Sequence, residues 1–304
     1  MAINADMTID ADLDSERPTR LLLLGFMAAI TVWLLVLALS DPTINVTDPL
    51  GGKLVTAQDA RSYYGFNFAD LYAGRTNWNS IGAYPYSPAF AQLLYPLDLL
   101  PWPMFVGAWT AVMLAAVFLM TGRELFMVGL MLGVIEIAGG NISLLLALAI
   151  VVGFRHPWTW AFVLLTKITP GIGLLWFAMR REWRQLGIAL GATAAIVVVS
   201  YILMPGAWQA WIALLAENAG KGGTWAALPV PLLVRGPIGV ALIVWGAPRN
   251  QRWVVPVGAM LALPALWYGS LSMLLAIIPL TTPSERRRAW ERLWRGRQQE
   301  PALT

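Results

Sequence analysis

The stretch PWTWAFVLLTKITPGIGLLWFAM, from Pro157 to Met179, decides the fold. Read as one helix, it is long enough to cross a hydrocarbon core of about 30 Å. That reading carries Arg180, Arg181 and Arg184 to the outer side and inverts everything after them. Arg249, Arg252 and the basic tail from Arg286 to Arg297 would then lie outside too. Basic residues concentrate on the cytoplasmic side of membrane proteins, so the single helix is rejected. The alternative is a short hairpin, Trp158–Thr166 up and Gly171–Met179 down, with Lys167, Ile168, Thr169 and Pro170 at its tip. Pro170 supports the break because it disfavours helix at the residue before it. Each arm reaches only about 15 Å. The tip then ends within the membrane's depth, where irregular backbone is tolerated only inside protein or beside a water-filled cavity. A lysine at helix centre costs about 2.5–3.5 kcal/mol on insertion scales. Lys167 is therefore expected to face a polar cavity open to the outside.

The rest of the chain agrees with a membrane setting. Its 304 residues are 58% hydrophobic and 12% charged, with mean hydropathy +0.62, whereas soluble domains carry about 25% charged residues. The expected fold class is an all-α polytopic membrane protein of about ten membrane segments, including short re-entrant hairpins. Arg17 and Arg20 hold the start inside, so Leu21–Leu39 runs outward. The acidic residues from Asp6 to Glu16 have the wrong sign for a signal peptide, so this span reads as an uncleaved anchor. A long exoplasmic loop (41–102) follows, and a span around Pro103–Met120 returns to Arg123. Next comes a first hairpin, Leu125–Ala138 and Ile142–Phe154, joined by Gly139, Gly140 and Asn141, each arm reaching about 20 Å. After Arg184 the chain crosses outward to Met204 and presents Glu217, Asn218 and Lys221. It returns past Arg235 to Arg249, and closes with Trp253–Trp267 and Ser270–Leu280. The organisation is a cytoplasmic tail (1–20), one transmembrane domain (21–281) and a basic cytoplasmic tail (282–304), multi-pass in a plasma (inner) membrane. No internal repeat is visible.

Composition also restricts the chemistry. Without cysteine there are no disulfides, no thiolate catalysis and no Cys-ligated metal, and the single histidine, His156, sits in a short connection. Catalysis is left to carboxylates, Lys, Arg, Tyr or backbone, with no metal ligand set. The net charge of +4 gathers at span ends, as membrane orientation requires, so no nucleic-acid partner is implied. The tail RRRAWERLWRGR suits anionic lipids of the inner leaflet.

Seven carboxylates lie at or near the outer face: Asp41, Asp48, Asp59, Asp70, Asp98, Glu136 and Glu217. Asp41 and Asp48 read as turn residues, and Asp98 as a cap or turn beside a short interfacial helix. Asp59 opens DARSYY, where a helix would bring Tyr63 onto its face. Asp70 opens DLY as an N-cap candidate. Glu136, in GVIEIAGGN, is an acid inside an apolar run. It is either functional or one half of an ion pair with Lys167 or Arg235. The tyrosines of YPYSPAF belong either to a site or to an interfacial aromatic belt.

Taken in order, DARSYY, GAYPYSPAFAQLLYPLDLLP, GNISLLLALAIVVGFR and LLTKITPGIGLLWFAMRREWR resemble the polyprenol-phosphate-dependent glycosyltransferases of family 87, which include bacterial mannosyltransferases. A fainter likeness continues through Asn218, Arg235 and LPALWYGSLSMLLAIIPL. The resemblance implies the C-type glycosyltransferase fold with an exoplasmic active site. The implied donor is a polyprenyl-phosphate-linked hexose, mannose being the expected one, and the acceptor a glycan or glycolipid. The implied mechanism inverts configuration, with an aspartate of the first outer loop as general base. Asp59 is the matching position and Asp70 the reserve. Lys167 and Arg235 would hold phosphate, with Arg61 a third cation, while Glu136, Asn141 and Tyr86 shape the cavity. The lipid-linked sugar is a co-substrate, and no further cofactor is implied. Where the family often carries a histidine two residues after a late tryptophan, Gly269 follows Trp267 here, and the chain is short for the family. Two readings outside catalysis stay open: a transporter with Glu136 and Lys167 on its path, and a catalytically silent assembly subunit.

Overall fold

Every regular element in the residues described by the computed structural model (57–76, 82–218 and 230–281) is a helix or a 3-10 turn. The first span Leu21–Leu39, both tails and Lys221 lie outside those residues. A 3-10 turn, Asp59–Tyr63, precedes α1 (Pro88–Asp98), whose first residue is a proline already set in φ for a helix start.

The long stretch α2 (Trp102–Gly139) reverses at Gly122, where φ 66° and ψ −176° define a backbone open essentially to glycine alone. Residues 102–121 and 123–139 lie back to back: Gly129 packs on Val117 and Thr121, and Phe118 meets Phe126 with ring centroids 5.7 Å apart. The reversal sits beside Arg123, where a return to the cytoplasmic side was expected. The second half of α2 then pairs with α3 (Ser143–Gly153), Gly133 touching Leu144, to make the first hairpin.

The deciding stretch doubles back. Helix α4 (Trp160–Thr166) stops at Lys167, which is extended (φ −136°, ψ 109°). A 3-10 turn, Thr169–Leu174, and the short α5 (Leu175–Met179) follow. Gly171 abuts Leu164, while Gly173 and Phe177 abut Trp160, contacts arranged symmetrically about the Lys167–Ile168 tip. A straight helix keeps such pairs on successive turns of one rod, where these rings could not meet across the axis.

Helix α6 (Trp183–Leu203) is the second element, after α2, that is long and apolar enough to cross a membrane. Only 11% of its most apolar window is buried in the protein, and Val198, Val199, Ile202 and Leu203 point outward. In a chain this apolar, that face meets lipid. Then come α7 (Pro205–Glu217), α8 (Leu232–Gly246), α9 (Val254–Leu261), a 3-10 stretch (Gly269–Ala276) and α10 (Ile277–Thr281). All-helical architecture is thus observed, with several apolar helices too short to span alone.

The loop expected on the outer side is packed against the helices rather than splayed on lipid. Tyr63 and Tyr84 are fully buried, and Tyr72 and Tyr86 nearly so. Their rings join Phe90 and Trp109 at centroid distances of 5.1–5.9 Å. YPYSPAF is therefore a buried aromatic core and not an interfacial belt. The Trp211 indole donates to the Pro85 carbonyl at 3.0 Å and ties α7 to this core.

Trp160 is 1% exposed and lies against the Cα of Gly173. Gly173→Ala is expected to lower the thermal midpoint by the equivalent of about 1–3 kcal/mol of overpacking. Gly187→Ala, which meets open space on α6, should leave the midpoint unchanged or raise it. Thermal unfolding of the reconstituted protein separates the two, and equal effects would contradict the hairpin packing.

Candidate active site

The tip of the first hairpin is a rigid frame. Gly140 is left-handed (φ 75°, ψ 23°) and caps α2, its N–H donating to the Glu136 carbonyl at 2.8 Å. The Trp109 indole N–H donates to the Gly140 carbonyl at 2.7 Å, and the Ala57 N–H to the Ala138 carbonyl at 2.6 Å. Glu136 reaches across the turn, its Oε1 accepting the Ser143 N–H at the start of α3. A carboxylate there satisfies an orphan donor and faces the positive end of the helix dipole. Of the two readings of Glu136, the ion pair with Lys167 or Arg235 is not formed among the described residues. Glu136 Oε2 is buried without a hydrogen-bond partner and lies against Gly269, where any side chain would collide with it. That contact accounts physically for glycine at 269.

Asn141 joins this frame to the outer loop. Its Oδ1 accepts the Ile142 N–H at 2.7 Å, which fixes the amide, and its Nδ2 donates to Asp59 Oδ2 at 2.9 Å. Asp59 starts the 3-10 turn lodged under the tip, where Ala60 packs on Gly140. Burial pushes the Asp59 carboxyl above its ordinary range; the Asn141 hydrogen bond and the positive charge of Lys167 partly oppose that rise.

Lys167 lies at the second tip, close enough for its charge to act on both Asp59 and Glu136. Its ammonium makes no hydrogen bond or ion pair among the described residues, and it keeps partial solvent exposure. Three N–H donors therefore remain for a ligand. This tip is pinned to the loop by Ser87, whose Oγ donates to the Leu165 carbonyl at 2.6 Å and whose N–H reaches the same oxygen at 3.3 Å. The Tyr63 and Tyr86 hydroxyls meet at 3.0 Å in the adjoining interior. Both phenols are pushed up, first by burial, and the charges of Asp59 and Glu136 add to the rise.

Five expected site residues thus converge: Asp59, Glu136, Asn141, Lys167 and Tyr86. Three do not. Asp70 is exposed in a run of turns, and no helix begins there for it to cap. Arg235 is 4% exposed and donates to the carbonyls of Val230, Leu261, Leu263 and Pro264 at 2.7–3.3 Å. Its guanidinium therefore closes the end of α9 instead of joining Asp59 and Lys167. Arg61 leans over the Trp102 ring at 4.9 Å, in a separate cleft. Asp59 and Tyr63 also sit differently from expectation, because a 3-10 turn has three residues per turn and buries Tyr63 beneath the aspartate's backbone. Trp109, Ser87 and Ser143 hold the two tips and were not singled out from sequence. Of these only Ser87, set before a proline at a helix start, carried a local signal, and its hydroxyl bonds across the fold rather than to its own helix.

A family model described as glycosyltransferase family 87 matches residues 84–281, which contain Tyr86, Glu136, Asn141, Lys167 and Arg235 but not Asp59. No curated protein and no solved structure matches the chain.

Asp59 binds its proton more tightly in the folded protein than in the unfolded chain, so its ionisation costs folding stability. The cost starts as pH rises through the ordinary carboxylate range and is complete above the raised value. Asp59→Asn keeps an acceptor for Asn141 and removes the titration. Its thermal midpoint should gain on the wild type as pH is raised from about 4 to about 7. Parallel curves would show that Asp59 is not desolvated.

Proposed function

Because the chain belongs to glycosyltransferase family 87, we propose that this membrane protein moves a hexose, with mannose the first to test, from a polyprenyl-phosphate donor to an exoplasmic glycan or glycolipid. The observation that carries the reading is the pairing of Asp59, oriented by Asn141 at 2.9 Å, with the unengaged ammonium of Lys167 across the same interior. One group accepts a proton, and the other receives a departing phosphate.

Asn141 holds Oδ2 of Asp59, which leaves Oδ1 for the acceptor hydroxyl. As the hydroxyl oxygen bonds to the anomeric carbon, its proton passes to Asp59. The bond from that carbon to the phosphate oxygen breaks on the opposite face, so the configuration inverts. The electron pair stays on the phosphate, next to Lys167. A carboxylate whose pKa is raised is a stronger base than a free one. A cation fixed where charge develops lowers the barrier without a metal. Arg235 is left out of the phosphate role because four of its five donors are already engaged. Glu136 and Asn141 shape the site by holding the first tip, and Tyr86 closes it from the loop side. On this reading the chemistry lies on the outer face of the inner membrane with both termini cytoplasmic, as the distribution of basic residues along the sequence supports.

The test is transfer by purified protein from radiolabelled polyprenyl-phosphate-mannose to a membrane lipid extract. Asp59→Asn should lose about 10²–10⁴-fold in rate while still binding donor. Lys167→Gln should lose donor affinity and rate together. Equal transfer by wild type and Asp59→Asn would remove Asp59 from the mechanism. No transfer from any hexose donor would favour a silent assembly subunit.

A further inference from the structure

The end of the fold away from Asp59 and Lys167 carries a different chemistry. Helix α3 leads from the first tip to Phe154 and Arg155, and α5 leads from the second tip to Arg180 and Arg181. The turn between α8 and α9 adds Arg249 and Arg252. Ring contacts join these segments. Phe154 meets Trp176 edge to face at 5.5 Å. The Arg252 guanidinium lies over Phe154 at 5.6 Å, and that of Arg180 over Trp176 at 5.3 Å. Two cations thus share one aromatic floor.

Two of these arginines are already used by the fold. Arg180 donates to the Ala247 carbonyl at 2.9 Å and pairs with Glu182 at 2.7 Å, and Arg249 donates to the Trp245 carbonyl at 2.8 Å. Both serve helix ends, which accounts for their presence. Arg155, Arg181, Arg184 and Arg252 are different. Each is exposed, and its side chain makes no hydrogen bond or ion pair among the described residues. Glu182 is the only acid within residues 154–159, 180–184 and 245–252, and Arg180 holds it. Arg181 also sits at φ 57°, a left-handed angle that glycine or asparagine reaches more easily. An arginine at such an angle costs the turn backbone energy, which calls for a use of its charge. Trp158 and Trp183, 59% and 63% exposed, flank the patch beside Arg155 and Arg184. Indole rings settle where lipid headgroups meet acyl chains.

We propose that this face binds the phosphate of an anionic phospholipid, such as phosphatidylglycerol, in the leaflet on the side where the sequence gathers its basic residues. Arg155, Arg181 and Arg252 receive the phosphodiester, and Trp158 and Trp183 lie level with the glycerol. Guanidinium forks take phosphate oxygens in pairs, and each basic residue near an anionic surface adds attraction. The chain offers one competing anion of its own, the acidic run Asp6–Glu16, whereas Arg286–Arg297 is basic. The exposed tryptophans favour the lipid, because an acidic peptide has no acyl chain to set against them. The proposal does not depend on the transferase reading.

The experiment measures binding of a fluorescent phosphatidylglycerol to the full chain in dodecyl maltoside micelles, with the matching phosphatidylcholine as reference. Wild type should bind the anionic lipid about ten- to a hundredfold more tightly. Arg252→Gln and Arg181→Asn should each weaken that preference about fivefold, and their combination with Arg155→Gln should abolish it. Asparagine suits the left-handed turn, so Arg181→Asn removes the charge without disturbing the backbone. Arg123→Gln, at the reversal of α2 and outside the patch, should keep the preference. Each variant's thermal midpoint without anionic lipid reports that it is folded. Equal binding of the two lipids by wild type would overturn the proposal. So would a loss in Arg123→Gln as large as in Arg252→Gln, which would reduce the effect to general surface charge. A preference that appears only after removal of residues 2–16 would overturn it too, and would assign the patch to the acidic run. Displacement of the lipid by an equal concentration of inorganic phosphate would contradict it by making the patch a soluble-anion site.

Discussion

Carbonyl groups freed where a helix breaks at membrane depth must find a donor, since no water is there to supply one and each unmet group costs several kcal/mol. The two hairpin tips interrupt helices in the same apolar fold, and the loop that precedes α1, with Trp109, meets their needs. Ala57 and Trp109 cover Ala138 and Gly140 at the first tip, and Ser87 covers Leu165 at the second. The same bonds that satisfy the tips therefore fix the loop over them. Asp59 is brought between them as a by-product of that closure, two residues after Ala57 and one before Ala60.

The electrostatics follow from this placement. One cation, Lys167, faces two acids, Asp59 and Glu136, inside a low-dielectric interior. Glu136 is held by a helix N-terminus, so its charge is matched locally by backbone. Asp59 has only one amide donor and the field of Lys167. On the proposed reading, a donor phosphate seated on Lys167 would offset that field, and Asp59 would become a stronger base with the donor present. The order of events then protects the base from idle protonation chemistry and favours it when a leaving group is at hand.

Much of this was legible in the sequence, because the positive-inside rule and the spanning length are global constraints that few local details can override. They gave the hairpin at Pro157–Met179, a reversal beside Arg123 and the place of Lys167 at a hairpin tip. Gly140, in the Gly-Gly-Asn joint of the first hairpin, takes the left-handed angles that such a turn needs (φ 75°), which glycine adopts freely. What stayed hidden depends on which donor finds which acceptor across the fold. Arg235 reads as a cavity cation in sequence, yet three carbonyls at the end of α9 and that of Val230, just before α8, claim it. The tyrosines of YPYSPAF look amphipathic enough for a lipid interface, and their burial becomes visible only when Tyr63, Phe90 and Trp109 close around them. Asp59 and Tyr63 were placed on one face by α-helical spacing, whereas three residues per turn separate them.

The central claim is that Asp59 lines a cavity reached from the outer side and occupied by the lipid-linked donor. The chain has no cysteine, so one introduced thiol reports without background. Gly139 is partly exposed, and a Cβ there would lie 3.7 Å from Asp59 Oδ2, an ordinary contact. Gly139→Cys should react with a membrane-impermeant thiol reagent applied to the outside of cells, and polyprenyl-phosphate-mannose should slow that reaction in the purified protein. Reaction from the cytoplasmic face alone, or from both faces as a permeation path requires, would contradict the claim.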